Sequence, residues 1–498
     1  MKKYNKILFV ALLAIFMGCN DAIDIRQPGR LDASTAFLNV TDLESGVLGM
    51  LREFDINPEI ALASNFCDEI SIGFDSGGQG FALYDFVLTP ASSAASDFWV
   101  RNYRGNNRAT ILIEAAANVT PMPGEEERYN NVLAEAHAFR AYVNFELLTY
   151  FSPNLRDDSS LGAVVVDFIP PLDFQPTRNT TGECWDFINA DLAIADQLFS
   201  TQSATTRLSK DFIKALRARS SAFRGEYGTT ATLAQELLNS YPIANQTQYQ
   251  LMFLDADNTE IIFKLERTLS DQYNAQGNTG SVATGRGWAG ARFAFVSATL
   301  DGSPYFEMDR GLYNLMDVPG DVRRTVNIDP SSIINPNYAT DPDPVNTDIL
   351  VIRKYPGSEG QPLMNDLKVF RSAEMLLLLA EARAAASNFT GAAQLIQQLR
   401  TARLGSPQPL STYTSQQQAF AAILQERRIE LCFEGHRYKD LKRLGVAANR
   451  GVDRDPTDCN EQSGACTLPA SDFRFTLPIP LTEINANPGI SAQQNPGY

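Results

Sequence analysis

The residues able to do chemistry in this chain are few in kind. There are two histidines, His137 and His436, six cysteines, and 58 acidic against 42 basic side chains. Two histidines cannot build a three-histidine zinc site, and no G-x-S-x-G elbow, P-loop or H-E-x-x-H is present. Carboxylate chemistry survives. Glu430 and Glu434 stand one turn apart in a helical pattern, as a hydrolase with paired carboxylates would require. The structural reading is favoured over it. Glu434 with Arg437 and Asp440 with Arg443 are at i,i+3, where each pair adds about 0.2–0.5 kcal/mol to a helix. Ile429, Leu431, Phe433 and Leu441 supply packing beside them, and His436 reads as a packed or capping imidazole. Asp341, Asp343, Asn346 and Asp348 offer oxygens to calcium but lack the glycine and terminal glutamate of an EF-hand loop. That segment reads as a solvated loop. No C-x-x-C pair exists, so no metal site is expected. Cys459 and Cys466 flank a short polar stretch; a disulfide there would contribute about 2.5 kcal/mol by chain entropy, the alternative being two reduced thiols.

Noncovalent binding chemistry is better represented. Between Gly73 and Phe86 the rings Phe74, Phe81, Tyr84 and Phe86 sit among Asp75, Ser76, Gly77, Gly78, Gln79 and Gly80. Such a segment is a poor helix former. Sugar rings present C–H faces that stack on aromatic planes, and their hydroxyls need amide, carboxylate or guanidinium neighbours. The stretch Gln272 to Arg292 follows the same logic with Tyr273, Arg286 and Trp288, and Tyr305, Phe306 and Tyr313 come after it. Trp288 is the strongest single candidate, its rival role being a plug beneath a long loop. Trp99 and Tyr103, on a helical pattern, are assigned to the scaffold core.

The elements that must hold these segments are mostly helical. Apolar residues at helical spacing mark Trp99 to Ala117, Glu125 to Tyr150, Cys184 to Phe199, Ser209 to Tyr227 with Ser209 as cap, Thr230 to Asn239, Val369 to Ser387, Thr390 to Leu404 and Ser415 to Leu444. From Tyr241 to Lys368 the pattern gives way to loops and small strands, including Glu260 to Leu265 and Ile349 to Lys354. Consecutive helix pairs suggest superhelical packing of the tetratricopeptide kind, though the sequence shows no clean self-similarity at that repeat's period.

The start of the chain carries an address. Lys2, Lys3 and Lys6 precede an apolar run, Ile7 to Met17, which is too short to span a bilayer and reads as an export signal. Gly18-Cys19 at its end is similar to a bacterial lipoprotein cleavage site, making Cys19 the expected lipidation site. The rival is an ordinary signal peptide with a chance cysteine. Loss of residues 1–18 removes those three lysines and would move the net charge from -16 to -19, a surface that repels anionic lipid and phosphate backbones alike. Nucleic acid is thereby excluded as a partner. No later apolar run is long enough to cross a membrane.

The stretch from Glu426 through Glu430, Glu434, Gly435, His436, Arg437, Tyr438 and Asp440 to Arg443 resembles the signature helix of the SusD/RagB family of surface lipoproteins. Further matches in order are Ala134 to Tyr142, Phe370 to Ala382, Leu477 to Pro480 and Gln494 to Tyr498, with Trp99 and Tyr103 also fitting. The resemblance covers essentially the whole mature chain. It implies a mainly α, SusD-like fold of degenerate tetratricopeptide-type helix pairs with a loop-rich region of short strands. After a signal peptide over 1–18, residues 19–498 would form one domain: helical repeats over 19–240, a loop-rich middle over 241–368, and C-terminal helices over 369–498. It further implies a lipid-anchored outer-membrane protein facing the exterior, binding oligosaccharides or sometimes peptides, partnered by a SusC-type TonB-dependent transporter. No cofactor and no catalytic centre follow from it. Two rival functions stand beside this one: a surface glycoside hydrolase, and a structural lid subunit without ligand affinity of its own. The ligand residues vary between family members, so Phe74, Phe81, Tyr84, Tyr273, Arg286 and Trp288 rest on the residue reading alone.

Overall fold

The computed structural model describes residues 36–269, 288–293, 304–459 and 464–498. Its longer helices begin with α1 (Val40–Leu51), α2 (Asn57–Phe66), α3 (Ser93–Ala116), α4 (Glu126–Phe151), α5 (Thr181–Leu198), α6 (Lys210–Arg224) and α7 (Tyr227–Ser240). The shorter α8 (Gln246–Met252), α9 (Arg310–Met316) and α10 (Val322–Asn327) occupy the middle. They are followed by α11 (Ser372–Ala385), α12 (Phe389–Leu404), α13 (Gln416–Glu430), α14 (Arg437–Ala448) and α15 (Leu481–Ala486). Among the described residues no helix is long and apolar enough to cross a membrane.

Helix α4 is the axis of the N-terminal half. Glu126 and Glu127 favour its positive end, and from Val132 onward nearly every residue is buried. A helix covered on all sides needs partners on all sides. It lies against α3 and α5. Polar residues on its buried face are matched: His137 Nδ1 meets Asp191 of α5 at 2.6 Å, and Arg140 grips the same carboxylate at 2.7 and 2.8 Å. Helix α5 opens on a capping box of Thr180 and Glu183, and α6 on Ser209, whose hydroxyl accepts from Phe212 N–H. Helices α6/α7, α11/α12 and α13/α14 complete the pairwise packing, with α11 bridging α7, α12 and α13. One apolar cluster collects residues from Val40 to Ile490, and a second is enclosed by α11, α12 and α13.

Among the described residues four antiparallel two-stranded ladders punctuate this frame: β1 (Ile70–Ile72) with β3 (Phe306–Met308), β2 (Ile261–Leu265) with β6 (Leu367–Arg371), β4 (Gly357–Ser358) with β5 (Gln361–Pro362), and β7 (Val452–Asp453) with β8 (Thr467–Leu468). Ile349 to Lys354 forms only single bridges, Ile349 to Ile333 and Ile352 to Ile328.

Two expected helices change. Val369, Phe370 and Arg371 are the end of β6, so the helix begins at Ser372. The expected helix from Ser415 to Leu444 is two, α13 and α14, with a break at residues 431–436 where Phe433 and Gly435 adopt φ of 63° and 82°. A Cβ on Gly435 would come within 2.8 Å of Glu59 Cβ, so the break also lets α2 approach.

The break redirects the charges of the signature segment. Asp440 and Arg443 pair at i,i+3 as expected, at 2.9 Å. Glu434 does not meet Arg437: it binds Arg371 at 2.8 Å and Lys354 at 2.9 Å, while Arg437 holds Asp68 at 2.7 Å. Glu430 joins Arg371 and Arg403, and Arg403 also reaches Glu260 at 2.6 Å. These buried ions clamp β6, α12 and α13 together. His436 is buried beside them without capping α14; burial first, then Arg219 and Arg427, hold its imidazole well below its ordinary pKa, hence neutral.

Candidate functional site: two loop segments joined by a strand pair

The ladder β1–β3 decides where the ring-bearing segments go. Its register sets Ile70 against Met308, Ser71 against Glu307 and Ile72 against Phe306. The segment that leaves β1 therefore lies beside the one that enters β3. Gly73 N–H extends the ladder by donating to Tyr305 O at 3.0 Å. Only glycine fits there, because a Cβ on Gly73 would collide with the Pro304 carbonyl. Two segments remote from each other along the chain, one following Ile72 and one preceding Phe306, thus become neighbours.

Beyond Gly73 the chain makes a 3₁₀ turn at Phe74–Ser76 and a single helical turn at Phe81–Tyr84, linked through Gly77, Gly78 and Gly80 in the left-handed region. A helix of ordinary length is absent from this stretch, but the two turns are more helical than its composition predicts. They sort the rings. Phe74 is 61% exposed and Phe81 is half-buried. Tyr84 is fully buried, with the Arg454 guanidinium over its ring at 3.7 Å, and Phe86 packs on Phe66 at 5.4 Å. A ligand cannot stack on Tyr84, so it is removed from the contact set: its role is to seat the segment.

On the other segment Tyr305 is half-buried, while Phe306 and Tyr313 are core residues. Trp288 is 8% exposed and packs with Ala291, Leu363 and Met364. This corrects the expectation of an exposed platform in favour of the plug, since an indole needs a solvent-facing side to stack on a sugar. Tyr273, Arg286 and Cys19 lie outside the described residues. Trp99 is core, its indole N–H donating to Glu483 at 3.1 Å, and Tyr103 packs on it while bonding the backbone of Val164.

Arg454 has no counterpart in the sequence reading. Its guanidinium donates to the carbonyls of Phe66 and Cys67 at the end of α2, to Tyr84 O at 2.6 Å and to Ala465 O at 2.7 Å. It ties the first ring segment to the hairpin β7–β8. Contacts that join opposite ends of the chain leave no local signal, and an isolated arginine after a strand looks like a surface charge. Cys459 and Cys466, both in the connection between β7 and β8, are joined in a disulfide with Cα atoms 5.3 Å apart.

The paired-carboxylate chemistry is unsupported by the geometry. Burial alone would raise Glu430 and Glu434, but Arg403 and Arg371 at the first, and Arg371 and Lys354 at the second, outweigh it and hold both below their usual range. Neither can serve as a general acid. Burial does lift Glu69 to about 7 and Glu307 to about 8, yet at 1% and 5% exposure neither reaches a glycosidic bond. No metal-holding group of three His, Cys, Asp or Glu occurs among the described residues. Asp341 and Asp343 are spent on Asn335, Thr347 and Asn346, and Asp348 on Arg310.

Known proteins share this frame. Residues 225–498 match the SusD family model, and residues 81–220 match a family described as starch-binding and associating with the outer membrane. A SusD-like protein, P2, of Formosa agariphila is 26% identical, each chain being covered in full. Among solved structures, a SusD superfamily protein of Bacteroides thetaiotaomicron superposes with a TM-score of 0.77 at 22% identity, over 92% of this chain and all of the other. The surface glycan-binding protein A of Bacteroides fluxus gives 0.70 at 22% identity, over 93% of this chain and all of that one.

Proposed function

The chain belongs to the SusD family, and from that membership we propose that it captures oligosaccharides noncovalently at the outer membrane and passes them, unaltered, to a SusC-type TonB-dependent transporter. The observation that carries this reading is the β1–β3 junction. It sets a glycine-rich segment with an exposed Phe74 and a half-buried Phe81 beside the segment holding Tyr305, on a frame made rigid by buried ion pairs. Rings held at the rim of a stiff scaffold lose little entropy on binding, as a capture protein requires. The matched description of a starch-binding, outer-membrane-associated family agrees with it, as does the glycan-binding relative of similar fold. In this reading Cys19 carries the acyl chains and the loop face looks outward from the cell. Trp288 packs behind the ring-bearing segments, and Tyr273 and Arg286 are further candidates for ligand contact.

The test is calorimetry on the mature protein after a glycan and peptide array has identified binders. Phe74→Ala is expected to weaken oligosaccharide binding by about 1 kcal/mol, the size of an aromatic contact. The folded protein ignoring every glycan on the array would overturn carbohydrate capture; peptide binding alone would replace the cargo.

A further inference from the structure

A cleft of about 350 Å³ opens between α9, α13 and the chain leaving β7. It lies at the far end of the β1–β3 pair from Gly73 and Tyr305. Asp68, just before β1, lines it, and Asp309, just after β3, binds its floor residue Arg428 at 2.7 Å. Three paired residues at about 3.4 Å rise each separate the two ends, so the cleft and the loop face share one strut.

The cleft has a fixed floor and an uncommitted mouth. Arg428 and Arg437 form the floor and both are engaged, Arg428 by Asp68 and Asp309 and Arg437 by Asp68. Leu315 and Ala421, both half-buried, give one apolar wall, with Leu424 buried behind them. The opposite wall is the β7 hairpin, held by its pairing to β8, by the Cys459–Cys466 disulfide, and by Arg454. At the mouth Gln425, Arg450 and Asp453 are exposed, and none of them enters an ion pair among the described residues. Among the described residues the Arg450 guanidinium donates only to the carbonyl of its neighbour Asn449, at 3.0 Å, which leaves most of its N–H groups to solvent. A rigid wall presenting such polar groups across from aliphatic carbon is the makeup of a ligand cleft.

The geometry points to a second saccharide site in this cleft, separate from the loop face and sized for one or two neutral sugar rings. A carboxylate such as Asp453 accepts from neighbouring hydroxyls, the Arg450 guanidinium and the Gln425 amide donate, and the half-buried Leu315 and Ala421 take the C–H face of a ring. The volume falls at the lower end of the roughly 300–1,000 Å³ of ligand pockets, which excludes a long chain. The charges around the cleft nearly cancel, Arg428, Arg437, Arg450 and Arg454 against Asp68, Asp453 and Asp455 with Asp309 behind Arg428, so the cleft suits a neutral ring rather than an ionised one. The inference rests on carbohydrate being the cargo. The two sites together would hold separate stretches, or separate molecules, of one glycan class.

Saturation-transfer NMR of the mature, oxidised protein with maltose, cellobiose, lactose and laminaribiose tests it. At least one disaccharide is expected to give a transfer signal. The signal should fall at least fivefold in Arg450→Ala/Asp453→Ala, two exposed positions whose replacement spares the core, and persist in Phe74→Ala/Phe81→Ala. Loss only in the loop variant would assign the disaccharide to the loop face and overturn the cleft. Absence of signal from all four sugars in the wild type would overturn it too, while the array of longer glycans reports separately on the loop face. Signal lost equally in both variants would show a single shared site and overturn the separation.

Discussion

At the scale of single residues, burial rather than type decides what a side chain does. Glu307 is 5% exposed and accepts from Leu350 N–H at 3.1 Å. Burial, aided by Asp348, lifts its carboxyl from 4.5 to about 8. The native state thus keeps a proton that the unfolded chain releases, so this group's stabilising contribution is complete below about pH 4.5 and disappears as pH rises to about 8. Wild type should lose stability relative to Glu307→Gln between about pH 5 and pH 8, by up to a few kcal/mol at about 1.4 kcal/mol per tenfold change in proton affinity. Urea unfolding of both proteins across that range measures it, and parallel curves would show that the carboxyl is ionised in the native state. The same principle sorted the rings. Phe74, Tyr84 and Trp288 are alike in a sequence of glycines and polar residues, yet they are exposed, buried under Arg454, and packed on Met364. Composition marked the ring-bearing segment, but long-range partners chose which ring faces out.

At the scale of elements, the helices were legible and their interruptions were not. Apolar residues continue through Ile429, Leu431, Phe433 and Leu441 with no proline to mark a stop, so α13 and α14 read as one helix. Gly435 was the available signal. Its φ of 82° and the 2.8 Å that would separate an added Cβ from Glu59 make alanine doubly unsuitable. Gly435→Ala should lower stability by about 1–3 kcal/mol for the backbone strain, and more if α2 is pushed away. Chemical denaturation measures the loss; a variant as stable as wild type would show that the turn relaxes freely. Charges followed the same division. Asp440–Arg443 was predictable because both partners share a helix, whereas the Glu430, Glu434, Arg371, Arg403 and Glu260 network draws on β6, α12, α13 and the residue before β2. No spacing rule anticipates contacts between elements so distant along the chain. Removing one ion from such a cluster strands its partners, which is why replacement there is harsher than at exposed pairs.

At the scale of the whole molecule, a strongly acidic protein proposed to work at a membrane needs a reason to stay there. With the expected signal removed its charge would be -19, so electrostatics would oppose adhesion to anionic lipid. No described helix can cross a bilayer. The acyl chains proposed for Cys19 would answer this, since each buried methylene contributes about 0.8 kcal/mol and two or three chains would outweigh the repulsion. Cys19→Ser should therefore move the protein from the membrane to the soluble fraction while leaving oligosaccharide affinity unchanged, because the β1–β3 junction that builds the loop face begins at Ile70. Expression in a host without the transporter separates the two ways of staying. There, retention of the variant on washed membranes would refute the lipid anchor. In a host that has the transporter, partial retention of the same variant would measure how tightly the two proteins hold each other once the acyl chains are gone.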